Sequence, residues 1–179
     1  MKIRRVVAGL NASGKSVFLS DEPAPSVHEF EYMPGGGQAK IWYAQEITTG
    51  VPSEEPTSAT GPVLPQPGGA SFIISKFAPA TSVNDPRFDG QKGFEEVMTI
   101  APDLAATMEP DAPGMHRTQT VDFAIVIEGE VWLEVDDGEQ RRLTAGDTVI
   151  QLGARHGWHN KSDLPALVAF IMIGAKGSA

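Results

Sequence analysis

Two stretches of this chain place reactive residue types at suggestive spacing. The first is GLNASGKS at residues 9–16, which fits G-x-x-x-x-G-K-[ST] letter for letter. In that pattern backbone N–H groups cradle phosphates, the lysine reaches the outer ones, and Ser or Thr helps hold Mg²⁺. The chemistry requires a buried strand before the loop and a helix beginning at the lysine. Here the residues after Lys15 are β-formers, and Pro23 and Pro25 end any helix within about two turns. Two short strands, 3–9 and 15–19, joined by a turn at 11–14, fit better. No later apolar stretch ends in the metal-binding Asp that an NTPase needs. The chemistry is therefore expected in the second stretch, GMHRTQTVDFAIVIEGEVWLEVDDGEQRRLTAGDTVIQLGARHGWHN at 114–160.

The elements that must position it are β-strands. The 179 residues include 19 Gly and 14 Pro, a turn-rich composition that stops short of disorder. From residue 70 strands are expected at 71–77, 118–128, 130–135, 140–143, 148–151, 158–160 and 166–173, linked by Gly129, DDG and AGD turns. Many short strands with regular turns indicate a sandwich or barrel. Before residue 70 the β-like pieces are 3–9, 15–19, 27–33 and 39–46. The polar, Pro-rich 48–69 reads as a surface loop, either a flap over a site or a plain connector. The best helical stretch lies within 84–113, with Phe94, Val97, Met98 and Ile100 on roughly one face and Leu104 and Met108 following. Pro102 is expected to split it. Its ends are tied near the barrel mouth, so it is expected to wall the site.

Composition narrows the function. Net charge is −9 and the pI about 4.8. A nucleic-acid binder ordinarily shows a basic face, so nucleic acid is not an expected partner, nor is an anionic membrane. The absence of cysteine removes disulfides, thiolate catalysis and zinc–thiolate sites. It suits a cytoplasmic protein. No run approaches the length of a membrane span.

The 114–160 stretch resembles the cupin superfamily, specifically its single-domain members. Asp122 stands where the first cupin motif has its acid, and Gly129 follows seven residues later. Gly146-Asp147 matches the second motif's turn, and Gly153-x-x-His156-x-x-x-Asn160 matches its remainder. The resemblance covers roughly 70–174. It implies an all-β fold: a cupin jelly-roll β-barrel at 70–179 with an N-terminal β extension at 1–69 and a short helical insert. Cupins with a full metal site show H-x-H-x-x-x-x-E. Here Met115 and Arg117 occupy the two His positions, His116 lies six before the acid, Asp replaces Glu, and Gln151 replaces the expected proline. The ligand set implied by the resemblance thus shrinks to His116, Asp122 and His156.

Strand alternation agrees with that set. His116, Thr118, Thr120 and Asp122 share a face of a regular strand, as do His156, Trp158 and Asn160. Two His and one carboxylate can hold Fe(II), and Zn, Mn and Ni are equally compatible. A lone buried His bonded to Asp needs no metal, so a metal-free barrel is the plain alternative. Asp122 and Gln151 are the candidate catalytic groups. Thr118, Thr120, Trp132, Trp158, Asn160, Met98 and Met108 are the candidate substrate contacts. His28 and His159 are expected outside the site. The activity implied is metal-dependent chemistry on a small oxygenated or carboxylated compound, of decarboxylase, isomerase or cyclase, or dioxygenase type. A non-catalytic binding or sensing barrel is the alternative. A homodimer is expected, because an open sheet edge favours pairing.

Overall fold

The computed structural model describes residues 1–47 and 61–176. Eleven strands dominate it: β1 (Arg4–Leu10), β2 (Ser16–Pro23), β3 (Ser26–Glu29), β4 (Gly37–Ala44), β5 (Ala70–Phe77), β6 (Thr120–Glu128), β7 (Glu130–Glu134), β8 (Gln140–Thr144), β9 (Thr148–Leu152), β10 (Gly157–His159) and β11 (Ala166–Gly174). A 3-10 turn at Ala80–Asn84 and two α-helices, α1 (Gly90–Ile100) and α2 (Pro102–Ala105), interrupt the chain between β5 and β6. No helix among the described residues is long and apolar enough to cross a membrane.

The strands form an all-β jelly-roll barrel from two antiparallel sheets. One has six strands in the order β3-β4-β5-β11-β6-β9, and the other has three in the order β10-β7-β8. The reason lies in the alternation along β6. Asp122, Ala124 and Val126 are buried while Phe123, Ile125 and Ile127 are exposed, the period-2 pattern of a strand with one face inward. The inward face packs Val126 and Val168 against Val131 of the opposite sheet and against Trp158. Each such fully buried apolar side chain contributes about 1.5–3 kcal/mol. At Gly129, φ is 75° and an added Cβ would lie 2.8 Å from the Pro165 carbonyl oxygen. Glycine is what lets the chain reverse there from β6 into β7.

The GLNASGKS stretch is a hairpin. β1 pairs antiparallel with β2, and the Asn11 side-chain oxygen accepts from the Ser13 and Lys15 backbone N–H groups at 3.0 Å each. No helix follows Lys15. The N-terminal strands β3 and β4 add directly to the barrel sheet through β5. The first of them is shorter than the 27–33 expectation, because Met33–Gly36 closes a turn instead.

Part of the Pro-rich 48–69 stretch, residues 48–60, lies outside the described residues. Residues 61–69 correct the surface-loop expectation. Val63 is fully buried, its carbonyl accepts from the Ser71 hydroxyl at 2.6 Å, and Leu64 N–H donates to Asp103 at 2.6 Å. Val63 joins Ile73, Ala101 and Met172 in one buried cluster.

Candidate active site

The site is built where three chain segments meet edge to edge. His116 and His156 form an antiparallel bridge, each N–H donating to the other's carbonyl at 2.9 Å. Met108 bridges His116 from the other side. Gly157 permits the close approach, since a Cβ there would lie 2.7 Å from the Met115 sulfur and 3.2 Å from the Gly114 carbonyl oxygen. The two imidazole centroids are consequently 4.3 Å apart, with planes inclined at 55°.

Backbone carbonyls set the tautomer of both rings. His116 Nδ1 lies 3.0 Å from the Gly114 carbonyl oxygen, and His156 Nδ1 lies 2.9 Å from that of Ala154. A carbonyl only accepts, so each Nδ1 carries the proton and donates. Each Nε2 is left with a lone pair. Burial also keeps the rings neutral. It lowers His116 from its ordinary value, and burial together with the neighbouring His116 lowers His156 to about 4. Two neutral imidazoles with Nε2 lone pairs form a base or metal-ligand pair at neutral pH.

Asp122 lines the same cavity. It is only 4% exposed, its Oδ1 has no hydrogen-bond partner among the described residues, and burial raises its pKa. Directly across the β6–β9 ladder stands Gln151, whose Oε1 is also buried without a partner. Opposed residues of an antiparallel pair share one face. Two orphaned acceptors side by side are satisfied when Asp122 carries a proton to donate.

The cavity encloses about 260 Å³. Trp158, Phe77 and Phe170 form one wall, with Trp158 and Phe170 edge to face at 5.3 Å. The helical insert forms another through Val97, Ile100, Leu104 and Met108. Phe30, Met33 and Gln38 of the N-terminal half complete it. Asp89 caps α1, accepting from the Gln91 and Lys92 N–H groups at 3.1 Å. Glu96 then ties the helix down by accepting from the Glu31 and Tyr32 N–H groups at 3.0 Å. The last turn before the site is held by Arg155, which donates to both Glu109 oxygens at 2.7 and 2.6 Å. This clamp joins the residue after Met108 to the residue before His156.

The sequence expectations divide accordingly. His116, Asp122, His156, Thr118, Trp158 and Met108 line one cavity. Thr120 is buried beside them and donates to the Thr118 hydroxyl at 2.8 Å. Four other expected residues, Met98, Trp132, Asn160 and Gln151, do not line that cavity. Met98 is 44% exposed, because the helix turns Val97 and Ile100 inward instead. Trp132 lies outside the pocket with Arg142 and Lys161 near its ring, 5.9 and 5.7 Å from the centroid. Asn160 is occupied in a turn, its amide nitrogen donating to the Leu164 carbonyl at 2.7 Å and its oxygen accepting from Ser162 N–H at 2.9 Å. Gln151 is buried beside Asp122 across the β6–β9 ladder and is not part of the cavity lining. His28 and His159 pair with Glu96 and Glu134, at 3.4 and 3.0 Å. Phe30, Met33 and Gln38 were not foreseen, and their only sequence signal is the apolar alternation of the N-terminal strands.

The expected metal set is only partly assembled. Among the described residues no three His, Asp or Glu side chains gather into a group that could hold a metal ion. What fits a divalent metal is the pair of imidazoles with free Nε2 lone pairs. Asp122 lines the same cavity without completing a three-donor cluster.

The Cupin domain family matches residues 105–173. Oryzines biosynthesis cluster protein J of Aspergillus oryzae is 48% identical over 65 residues, 36% of each chain. The cupin-domain-containing oxidoreductase srdB of Neurospora crassa is 27% identical over 178 residues, covering 96% of this chain and 74% of that one. The structure of KdgF from Halomonas sp. aligns with a TM-score of 0.43 at 15% identity, over 83% of this chain and 90% of that one. The chain spans about a third of the length of the first curated relatives it matches, 36% and 33%. Residues 105–173, which match the Cupin domain family, lie largely within the jelly-roll barrel and carry His116, Asp122 and His156.

Proposed function

We propose that this cupin is an enzyme of small-molecule metabolism, acting on a compact, mostly apolar compound that carries a carbonyl, hydroxyl or carboxyl oxygen. The observation that carries the reading is the His116–His156 pair, with both Nε2 lone pairs available, in one apolar cavity of about 260 Å³ with the buried Asp122. The aromatic and helical walls would hold the apolar body of the substrate and exclude water. The histidines would take a proton from the substrate at Nε2, and Asp122, shifted by burial toward its protonated form, would return one. Relatives named as a biosynthesis-cluster protein and as a cupin-domain-containing oxidoreductase favour oxidoreductase chemistry within the decarboxylase, isomerase or cyclase, and dioxygenase range. When a divalent metal, Fe, Zn, Mn or Ni, is bound, the same Nε2 lone pairs of His116 and His156 would hold it instead of taking a proton, and it would supply Lewis-acid polarisation of the substrate oxygen.

Turnover separates this reading from a binding or sensing barrel. The purified protein, supplied with Fe(II) or Zn²⁺, is to be incubated with 2-hydroxybenzaldehyde, benzoylacetic acid and catechol, with products followed by mass spectrometry. Conversion of at least one probe is expected, with His116→Ala and His156→Ala each slower by about a hundredfold or more. Saturable binding of the probes without conversion would favour the binding barrel. Equal conversion by both histidine variants would place the chemistry elsewhere.

A further inference from the structure

One end of the cavity holds a polar group that the chemistry at the histidines leaves unused. Gln38 of β4 lines the cavity and is only 8% exposed, yet its Oε1 has no hydrogen-bond partner among the described residues. Buried polar side-chain atoms are ordinarily paired, so an exception calls for a reason. Ser75 of β5 stands directly across the ladder from Gln38 and lines the same cavity, but its hydroxyl does not bond to the amide oxygen. This end is closely packed: Met33, also in the lining, sits against Gly93 of α1, where an added Cβ would lie 2.5 Å from Met33 Cγ.

Strand register sets Gln38 well away from the histidine pair. Gln38 pairs with Ser75, Ser75 with Val168, and Val168 with Val126. On β6 Val126 lies four residues beyond Asp122, about 13 Å along the strand. Between those two levels Ile73 pairs with Phe170, and both line the cavity. The cavity therefore has two polar ends with an apolar middle: His116, His156 and Asp122 at one end, Gln38 and Ser75 at the other.

We propose that Gln38 is a specificity-determining residue that bonds a hydroxyl of the substrate, at the end remote from the oxygen that faces the histidines. This rests on the reading that the cavity holds a small-molecule substrate. A carboxamide offers one acceptor and one pair of donors, and a hydroxyl both donates and accepts, so the two match whichever way the amide is turned. The Ser75 hydroxyl can bond the same oxygen. An ionised carboxylate only accepts and would leave Oε1 unpaired. Lys76, next along β5, is engaged by Glu29 at 3.4 Å and does not offset that charge. An alkyl group would bury Oε1 with no partner at all, which is how a site built for a hydroxyl rejects the analogue that lacks it. The substrate class narrows to compounds with a carbonyl or carboxyl oxygen at one end, an aromatic or alkyl body, and a hydroxyl at the other.

The test is calorimetric binding of three matched probes to the purified protein: 4-(4-hydroxyphenyl)butan-2-one, 4-phenylbutan-2-one and 4-(4-carboxyphenyl)butan-2-one. The wild type should bind the hydroxyl probe tighter than the phenyl probe by about tenfold or more, and the carboxyl probe weakest. Gln38→Leu should erase the hydroxyl preference while binding the phenyl probe at least as well. Its thermal midpoint should equal or exceed that of the wild type, because the unpaired acceptor is gone. Ser75→Ala should lower the preference by about threefold and serves as the second variant. Equal affinity of the wild type for the hydroxyl and phenyl probes overturns the proposal. So does a preference that survives Gln38→Leu, tightest binding of the carboxyl probe, or no saturable binding of any probe. The readout is affinity, so it separates from the turnover test. A Gln38-dependent hydroxyl preference without conversion upholds this inference and defeats the enzymatic reading. Conversion without that preference does the reverse.

Discussion

Lowering the pH of the metal-free protein from 7 to 4 is expected to remove about 3 kcal/mol of unfolding free energy through His156 alone. The ring is 3% exposed, and burial with the adjacent His116 pushes its pKa down to about 4. The sign follows from linkage. An unfolded histidine takes its proton near pH 6.5, whereas the folded one waits until about 4. Between these values the unfolded state binds more protons, so stability falls as pH falls. Above about 6.5 the contribution is complete, and below about 4 no more is lost. Denaturant unfolding of wild type and His156→Asn after chelation measures it. The wild type should lose stability more steeply than the variant between pH 6.5 and 4. Parallel curves would show that His156 is not held neutral by the fold.

Asp122→Asn carries the second large effect, with the opposite sign. Burial raises the folded pKa of Asp122, so its ionisation opposes folding. That penalty grows as pH rises through the folded pKa. In the ionised form, the orphaned Oδ1 and the facing Oε1 of Gln151 add the cost of unsatisfied buried acceptors. An asparagine keeps the shape, carries no charge, and brings N–H donors to the Gln151 side. The variant is expected to be more stable than wild type by about 1–3 kcal/mol at pH 7, with the advantage shrinking toward pH 4. Turnover should fall at the same time, since the group that returns a proton is gone. A variant less stable at pH 7 would mean that ionised Asp122 has a stabilising partner and that its acid role is misassigned.

Much of this arrangement is legible in the chain itself. Alternation from His116 to Val126 places His116, Thr118 and Asp122 on one wall. Pro102 ends α1, and the apolar residues around it correctly imply a wall of the pocket. Other features escape because they depend on rotation or on distance along the chain. Val97 and Met98 differ by only 100° around a helix, so the sequence alone leaves open which of them turns inward. Trp132 alternates with Val131 and Leu133, but only the closed barrel decides which side of β7 is inside. Asn160 shares parity with Trp158, yet β10 ends at His159 and the asparagine is drawn into the next turn. Phe30, Met33 and Gln38 reach the pocket because β4 pairs with β5 across a long connection, which no local pattern records. The Asp122–Gln151 pairing is likewise a matter of register.

The most direct test of the His116–His156 pair is long-range ¹H–¹⁵N correlation of the histidine side chains at pH 7, before and after one equivalent of Zn²⁺. Both rings should be neutral, protonated at Nδ1 and bare at Nε2, and both Nε2 signals should move together on adding metal, while those of His28 and His159 stay fixed. An imidazolium or an Nε2–H tautomer at either position, or a zinc response at His28 or His159 instead, would contradict the account.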